Sequence, residues 1–147
     1  MSTIESEAEN RAVVRREIDE AWNGDDLDVL DELYAESVVV GTKRTGSEGP
    51  LVGREDIKSV HAEWDEGFPD ASAEVNELAA DGDVVFVWWT LRGTHRGTFR
   101  GVEPTGNEIA VDGFSFRRLR DGRVVELKDA ASMATLVEQL GLELPLG

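Results

Sequence analysis

The chain contains no cysteine. Disulfides, thiolate nucleophiles, iron–sulfur clusters and cysteine zinc sites are therefore excluded. Histidine is almost as scarce. His61 and His95 are the only two, they fall on different expected elements, and no HExxH accompanies them, so no metal and no cofactor is expected. Lysine occurs three times (Lys43, Lys58 and Lys128), and 15 Lys plus Arg stand against 31 Asp plus Glu for a net charge of −16. Nucleic-acid binders need a basic footprint and anionic membranes attract basic segments, so neither partner is expected. No apolar run approaches the ~20 residues of a membrane span. The opening MSTIESEAENR has neither the basic nor the apolar region of a signal peptide, and a cytoplasmic location is the expectation. Gly-x-Ser-x-Gly and Gly-Lys-Ser/Thr are both missing. Gly93, Gly97 and Gly101 follow a strand without opening a helix, as in a glycine-relaxed strand end and hairpin rather than a phosphate loop.

What is present is a globular composition. The 147 residues are 40% hydrophobic, enough for one domain over residues 1–147 with a buried core. The acid-rich, lysine-poor balance is similar to that of proteins from salt-loving microbes, in which self-repulsion is balanced by concentrated salt.

Val14, Ile18, Ala21 and Trp22 recur at helical spacing over about residues 6–23, and Asn23-Gly24 stops that helix. Leu27, Leu30 and Tyr34 mark a second helix capped by Asp25 or Asp26. A short buried strand, residues 37–41, precedes a polar loop, TKRTGSEGP. A third helix over about residues 54–66 carries Ile57, Val60, His61 and Trp64 on its apolar face, with Phe68 just beyond. From there the period changes to two. Ala73, Val75, Glu77 and Ala79 alternate in one strand, and residues 84–95, 108–119 and 124–130 form three more, joined by turns at Asp81-Gly82-Asp83, Pro104-Thr105-Gly106 and Asp121-Gly122. Met133, Leu136, Val137 and Leu140 mark a last helix ending at Gly141. Hairpin-joined strands with segregated helices give an α+β fold: a curved antiparallel sheet with helices packed on it, forming a cone-shaped barrel with a hydrophobic pocket.

Asp129 stands out. On the last strand Val125, Leu127 and Asp129 share a face while Glu126 and Lys128 share the other. A bare buried carboxylate is costly, so it pairs, protonates or lines a cavity. Desolvation would raise its pKa and suit it to general acid–base work; the ordinary alternative is a strand-end aspartate that reaches solvent or caps the last helix. Asp112, in the row of Phe114 and Phe116, is a second candidate, and Arg92, Arg117 and Arg118 are possible partners. Trp88 and Trp89 are adjacent in a strand and point to opposite faces, so one of them lines the concave side. Trp88 joins Trp64 and Phe68 as a candidate aromatic wall, parity alone leaving Trp88 and Trp89 interchangeable. His61 sits on an apolar helical face, where a hydrogen-bonded core histidine is the ordinary outcome and a ligand-facing one the functional alternative.

GTHRGTFRGVEPTG (93–106), FPD (68–70), Trp22-Asn23-Gly24-Asp25 and the tail DGRVVELKD…LVEQLG (121–141) together resemble the SnoaL-like polyketide cyclases, or ester cyclases, of the nuclear-transport-factor-two-like superfamily. The resemblance implies an α+β cone assembled as a homodimer or higher homo-oligomer. It further implies a cofactor-independent enzyme that closes a ring by intramolecular aldol condensation of a small hydrophobic carbonyl compound. The family's acid–base aspartate corresponds to Asp129, and the histidine that assists it to Ser115. A further aspartate corresponds to Ser132, and a histidine after the first strand falls near Gly41. His61, Trp64, Phe68, Trp88, His95 and Ser115 are the expected substrate-binding residues around Asp129. The alternatives from the same superfamily are a hydratase or isomerase using the same aspartate, and a non-catalytic module binding a small hydrophobic ligand.

The charge yields the first expected outcome. At ~1 M salt the Debye length shrinks to about 3 Å, so the melting temperature should climb clearly between low salt and molar KCl. A flat thermal-melt series would exclude salt adaptation.

Overall fold

The computed structural model of the chain describes residues 3–41 and 51–143, and the expected polar loop at 42–50 lies outside the described residues. The order is α1 (Thr3–Glu17), a π-helical turn (Ile18–Trp22), α2 (Val29–Leu33), β1 (Tyr34–Val40), β2 (Leu51–Val52), α3 (Arg54–Gly67), β3 (Ser72–Asp81), β4 (Val84–Thr94), β5 (Glu108–Arg120), β6 (Arg123–Ala131) and α4 (Met133–Gln139). The long first helix is thus present, but its last five residues widen to i→i+5 bonding, with the Asn23 amide donating to the Ile18 carbonyl at 2.9 Å.

The six strands form one sheet in the order β2-β1-β6-β5-β4-β3. β3 to β6 are the expected antiparallel meander, but β1 runs parallel to β6. That departure follows from the connection: most of the chain intervenes between the two strands, and only such a long crossover returns a strand in the same direction. The edges β2 and β3 do not meet, so the cone is open and the helices cover its concave face. The β5–β6 hairpin turns at Asp121 and Gly122 with φ of 53° and 76°, the double positive φ that matches strand twist.

Two bulges correct the alternation expected from sequence. In β3, Val75 pairs with Trp89 and Glu77 with the next residue back, Trp88, so Asn76 is the extra residue. Beyond it the core face passes to Leu78 and Ala80, and Glu77 and Ala79 do not continue the row of Ala73 and Val75. In β6, Leu119 pairs with Val124 and Arg118 with Glu126, leaving Val125 extra, and Val124 rather than Val125 enters the core with Leu127. A single inserted residue shifts every later side chain to the other face.

The core is divided. One cluster joins Val14, Ile18 and Ala21 to Leu30, Ile57, Val85, Val87 and Leu127. The other joins Phe68 and Phe99 to Ile109, Val111, Leu136 and Leu140. Motifs in the loops tie the helices to the sheet between them. Asn23 reads the edge strand through both its amide atoms, with Nδ2 donating to the Ala73 carbonyl at 2.8 Å and Oδ1 accepting from the Ala73 amide at 2.7 Å. Asp70 accepts from the backbone and hydroxyl of Thr94 at 2.7 and 2.9 Å, and the backbone bond in particular holds its carboxyl below the usual range. Among the described residues no helix is long and apolar enough to cross a membrane.

Candidate active site

Strand parity places the chemistry. Trp89 on β4, Gly113, Ser115 and Arg117 on β5, and Asp129 on β6 lie on the concave side, in neighbouring registers: Trp89 opposite Gly113 and Ser115 opposite Asp129. The two core clusters do not meet over these residues, and the gap between them is a cavity of about 460 Å³. Trp22, Val60, Trp64, Leu91 and Met133 give it largely apolar walls, and Ser115, Arg117 and Asp129 are its polar groups on the sheet.

Asp129 is held there by a relay that starts at a glycine. A Cβ on Gly113 would lie 2.2 Å from Trp89 Cζ2, so only glycine lets the indole lie across β5. From that position Trp89 Nε1 donates to Ser115 Oγ at 2.8 Å, and the Ser115 hydroxyl donates to Asp129 Oδ1. The serine therefore has one hydrogen-bond direction fixed by the indole and turns its proton to the carboxylate. Asp129 is half-buried and borders the cavity. Burial raises its pKa above the usual carboxylate value; the Arg117 charge and the Ser115 hydrogen bond oppose that rise, and the Glu17 charge adds to it.

Glu17 is the buried charged residue beside the site that sequence reasoning passed over. It is 0% exposed, and its carboxylate accepts from Arg117 Nε at 2.8 Å and Nη2 at 3.0 Å. The π-helical turn brings Trp22 back over the same carboxylate, and its Nε1 donates to Glu17 Oε2 at 2.6 Å. Burial alone would favour loss of the Arg117 proton, but attraction to Glu17 outweighs it and the guanidinium stays charged. Tyr34 is buried beside them, its hydroxyl pushed well above the usual range by burial and then by the Glu17 charge. A signal for Glu17 was available: it lies three residues after Val14 and four before Ala21, within the apolar stripe of α1.

Of the expected site residues, the structure brings together Asp129, Ser115, His61 and Trp64 around the cavity. His61 lies against Trp22, ring centroids 5.0 Å apart, with Nε2 3.8 Å from the Asp25 carboxylate. Three others are corrected. Trp88 faces away on the convex side, stacked with Phe114, and its place is taken by Trp89. Phe68 is 0% exposed inside the second core cluster. His95 is buried behind it, stacked on the Phe68 ring at 5.2 Å. The Thr105 amide donates to His95 Nδ1 at 3.1 Å, so this ring nitrogen closes the loop rather than meeting a ligand. Asp112 accepts from the Thr90 hydroxyl on the convex face, Arg118 pairs with Asp83 and Glu126, Arg92 with Glu74, and Ser132 is exposed. Gly41 does border the cavity, where a Cβ would collide with the Lys128 side chain. Among the described residues no group of three or more His, Asp or Glu could hold a metal ion.

The family model for SnoaL-like polyketide cyclases matches residues 12–140. The chain belongs to that family. Among solved structures, IdmH of Streptomyces antibioticus, a candidate polyketide cyclase, is 32% identical with a TM-score of 0.80, covering 90% of this chain and 99% of its own. A candidate SnoaL-like polyketide cyclase from Jannaschia sp. CCS1 is 27% identical, TM-score 0.84, with 94% and 95% coverage. AclR of Streptomyces galilaeus, a candidate hydroxylase, is 29% identical, TM-score 0.81, with 94% and 83% coverage. No curated protein matches in sequence. The SnoaL-like fold thus carries more than one candidate chemistry, and the polar groups in the cavity have to decide between them.

The relay makes a direct test of those groups. In Gly113→Ala the new methyl forces the Trp89 indole out of place. The change should destabilise the protein by about 1–3 kcal/mol, the usual cost of overpacking, and shift the tryptophan emission as the Ser115 bond is lost. An unchanged melting temperature and spectrum would refute the relay.

Proposed function

We propose that this SnoaL-like protein is a cofactor-independent enzyme in which Asp129 is the general acid–base for ring closure of a small hydrophobic carbonyl compound. One observation carries the reading: Asp129 borders a mostly apolar cavity, oriented by Ser115, while the fork of the neighbouring arginine is engaged by Glu17. As a base, the Asp129 carboxylate removes the acidic proton between two carbonyls. The resulting enolate attacks a further carbonyl carbon of the same molecule, forming the ring C–C bond and an alkoxide. The protonated Asp129 then returns its proton to that alkoxide, so the aspartate ends as it began. General acid–base help of this kind contributes typically 10²–10⁴-fold, about 3–5 kcal/mol of barrier. The aromatic walls hold a flexible substrate in its folded shape, which supplies proximity. His61, Trp64 and Trp89 are the residues that support substrate contact, with Trp89 in place of Trp88.

Asp129→Asn should keep the fold and abolish turnover of a substrate that carries a 1,3-dicarbonyl and a further carbonyl, while leaving ligand binding intact. Retained turnover would favour a binding module or a reaction in which another group acts. Stability supplies a second readout. A carboxyl with a raised native pKa stabilises the fold below its unfolded value near 3.8 and loses that contribution as pH rises through its native value. Asp129→Asn should therefore be as stable as the parent or more stable at neutral pH, with the advantage vanishing below about pH 4. A capping or ion-paired aspartate would give the opposite sign.

We further propose that the protein works as a homodimer through the convex face. Phe86 and Phe114 are 50% and 61% exposed there, and Trp88 stacks on Phe114. A contiguous exposed aromatic patch on a sheet face favours self-association, and a two-fold contact uses one patch twice. Light scattering at micromolar concentration in high salt should give twice the monomer mass, falling to the monomer in Phe114→Glu. A monomeric parent would overturn the assembly.

A further inference from the structure

We propose that Glu17 is a positioning residue: by taking the Nε–Nη2 fork of Arg117 it sets how strongly that guanidinium holds Asp129 as an anion. The inference rests on Asp129 being the acid–base group, and it concerns the group that sets its charge.

Arg117 lies on the same face of β5 as Ser115, and its strand partner Leu127 is two residues from Asp129 on β6. At 3% exposure it has little access to water. A guanidinium in such a place draws the nearest carboxylate into a fork, because a planar, bidentate pair is the strongest arrangement available to it. If Asp129 were that carboxylate it would be fixed as an anion, and a fixed anion returns no proton. The fork is instead made with Glu17, through Nε at 2.8 Å and Nη2 at 3.0 Å.

The local structure serves this pairing. Glu17 ends α1, and the following π-helical turn sets Trp22 five residues on over the same side chain. The indole Nε1 adds a third donor at 2.6 Å, so an acceptor that water cannot reach is satisfied from two sides. Short π-helical insertions recur at functional sites because they rearrange side chains that a regular helix would leave apart. Here a regular turn would bring residues three and four apart together, not five.

Among the described residues, the groups around Asp129 include Ser115 and Arg117 from β5, Glu17 from α1, Tyr34 from β1 and His61 from α3 across the cavity, with Asp25, Asp65 and Arg100 further along its lining. Glu17 acts on Asp129 twice in one direction. Its own charge disfavours a second carboxylate, and it balances the positive charge that would favour one. Ser115 and Arg117 act the other way, and Glu17 weakens the larger of those two.

The test is a carbon-13 titration of the Asp129 carboxyl in the full-length protein, a readout independent of any substrate. In Glu17→Gln the Arg117 charge is no longer balanced, and the Asp129 midpoint should fall by about 1–3 units, the usual effect of a close opposite charge. In the double variant Glu17→Gln/Arg117→Met both charges are gone and the midpoint should rise again to the parent's or above it, since the Arg117 charge acts more strongly on Asp129 than the Glu17 charge does. An unmoved midpoint in the single variant would overturn the inference. So would a double variant whose midpoint stays as low as that of the single variant. If the single variant does not fold, Arg117→Met decides beside the double variant: its midpoint should lie above that of the double variant, and equal midpoints would overturn the inference. Turnover by Asp129→Asn bears on the proposed function and not on these midpoints, so the two failures are distinguishable.

Discussion

The fork between Glu17 and Arg117 fixes the rest of the molecule. Two opposite charges removed from water cost several kcal/mol each to desolvate, and only near-ideal geometry repays it. That requirement ties the end of α1 to the middle of β5 across a sequence separation of 100 residues. It joins the helix layer to the concave face of the sheet at that point. The pair also accounts for the departure from α-helical bonding at Ile18–Trp22, since the widened turn is what brings the indole to the carboxylate. Breaking one side of such a pair would leave an unmatched buried charge, a loss of about 3–5 kcal/mol.

Much of this was legible in the sequence, and the failures have a common cause. The concave orientation of Asp129 follows from its spacing to Leu127, and both are where parity puts them. The same counting failed from Val125 and from Val75, because Val125 and Asn76 are each unpaired against the neighbouring strand. A bulge is a property of two strands together, and one strand's alternation does not announce it. Trp88 and Trp89 could not be separated for the same reason. What separates them is Gly113 on the facing strand, whose missing side chain admits only the tryptophan opposite it. Glu17 was the reverse case: its place in the apolar stripe was visible, but a glutamate among hydrophobic residues gains meaning only when its partner a hundred residues away is known.

Four residues of the motifs that carry the family resemblance are structural, while Trp22, Arg100 and Asp129 of the same motifs line the cavity. Asn23 binds the backbone of the edge strand, Asp70 holds Thr94, and His95 closes the loop before Asn107. Phe68 fills the second core cluster. None of these borders the cavity. Such residues report the fold with high specificity and the reaction with little, because they maintain the frame that different members share. The chemistry lies in the side chains whose identity the frame does not dictate. Serine at 115 rather than a titratable group is one of these, and beside it Asp129 is the carboxylate of that strand pair that lines the cavity.

The sheet divides two incompatible tasks by parity alone. On β4 and β5 the concave row contains Trp89, Ser115 and Arg117, while the convex row contains Phe86, Trp88, Phe114 and Phe116. One row needs an enclosed, hydrogen-bonded setting for its carboxylate, and the other offers stacked aromatic rings to the outside. A slip of one residue between these strands would exchange the rows, placing a charged arginine outside and exposed aromatics in the cavity. The register is held where the two rows bear on each other. Gly113 can pair only with a residue whose side chain needs its space, and the Ser115 hydroxyl bonds across to both neighbouring strands at once. The bulges at Asn76 and Val125 lie in the outer members of the meander, so β4 and β5 keep an unbroken ladder from Val84 to Thr94. Site geometry and strand register are thereby one constraint: the contacts that orient Asp129 also prevent the slip that would expose it.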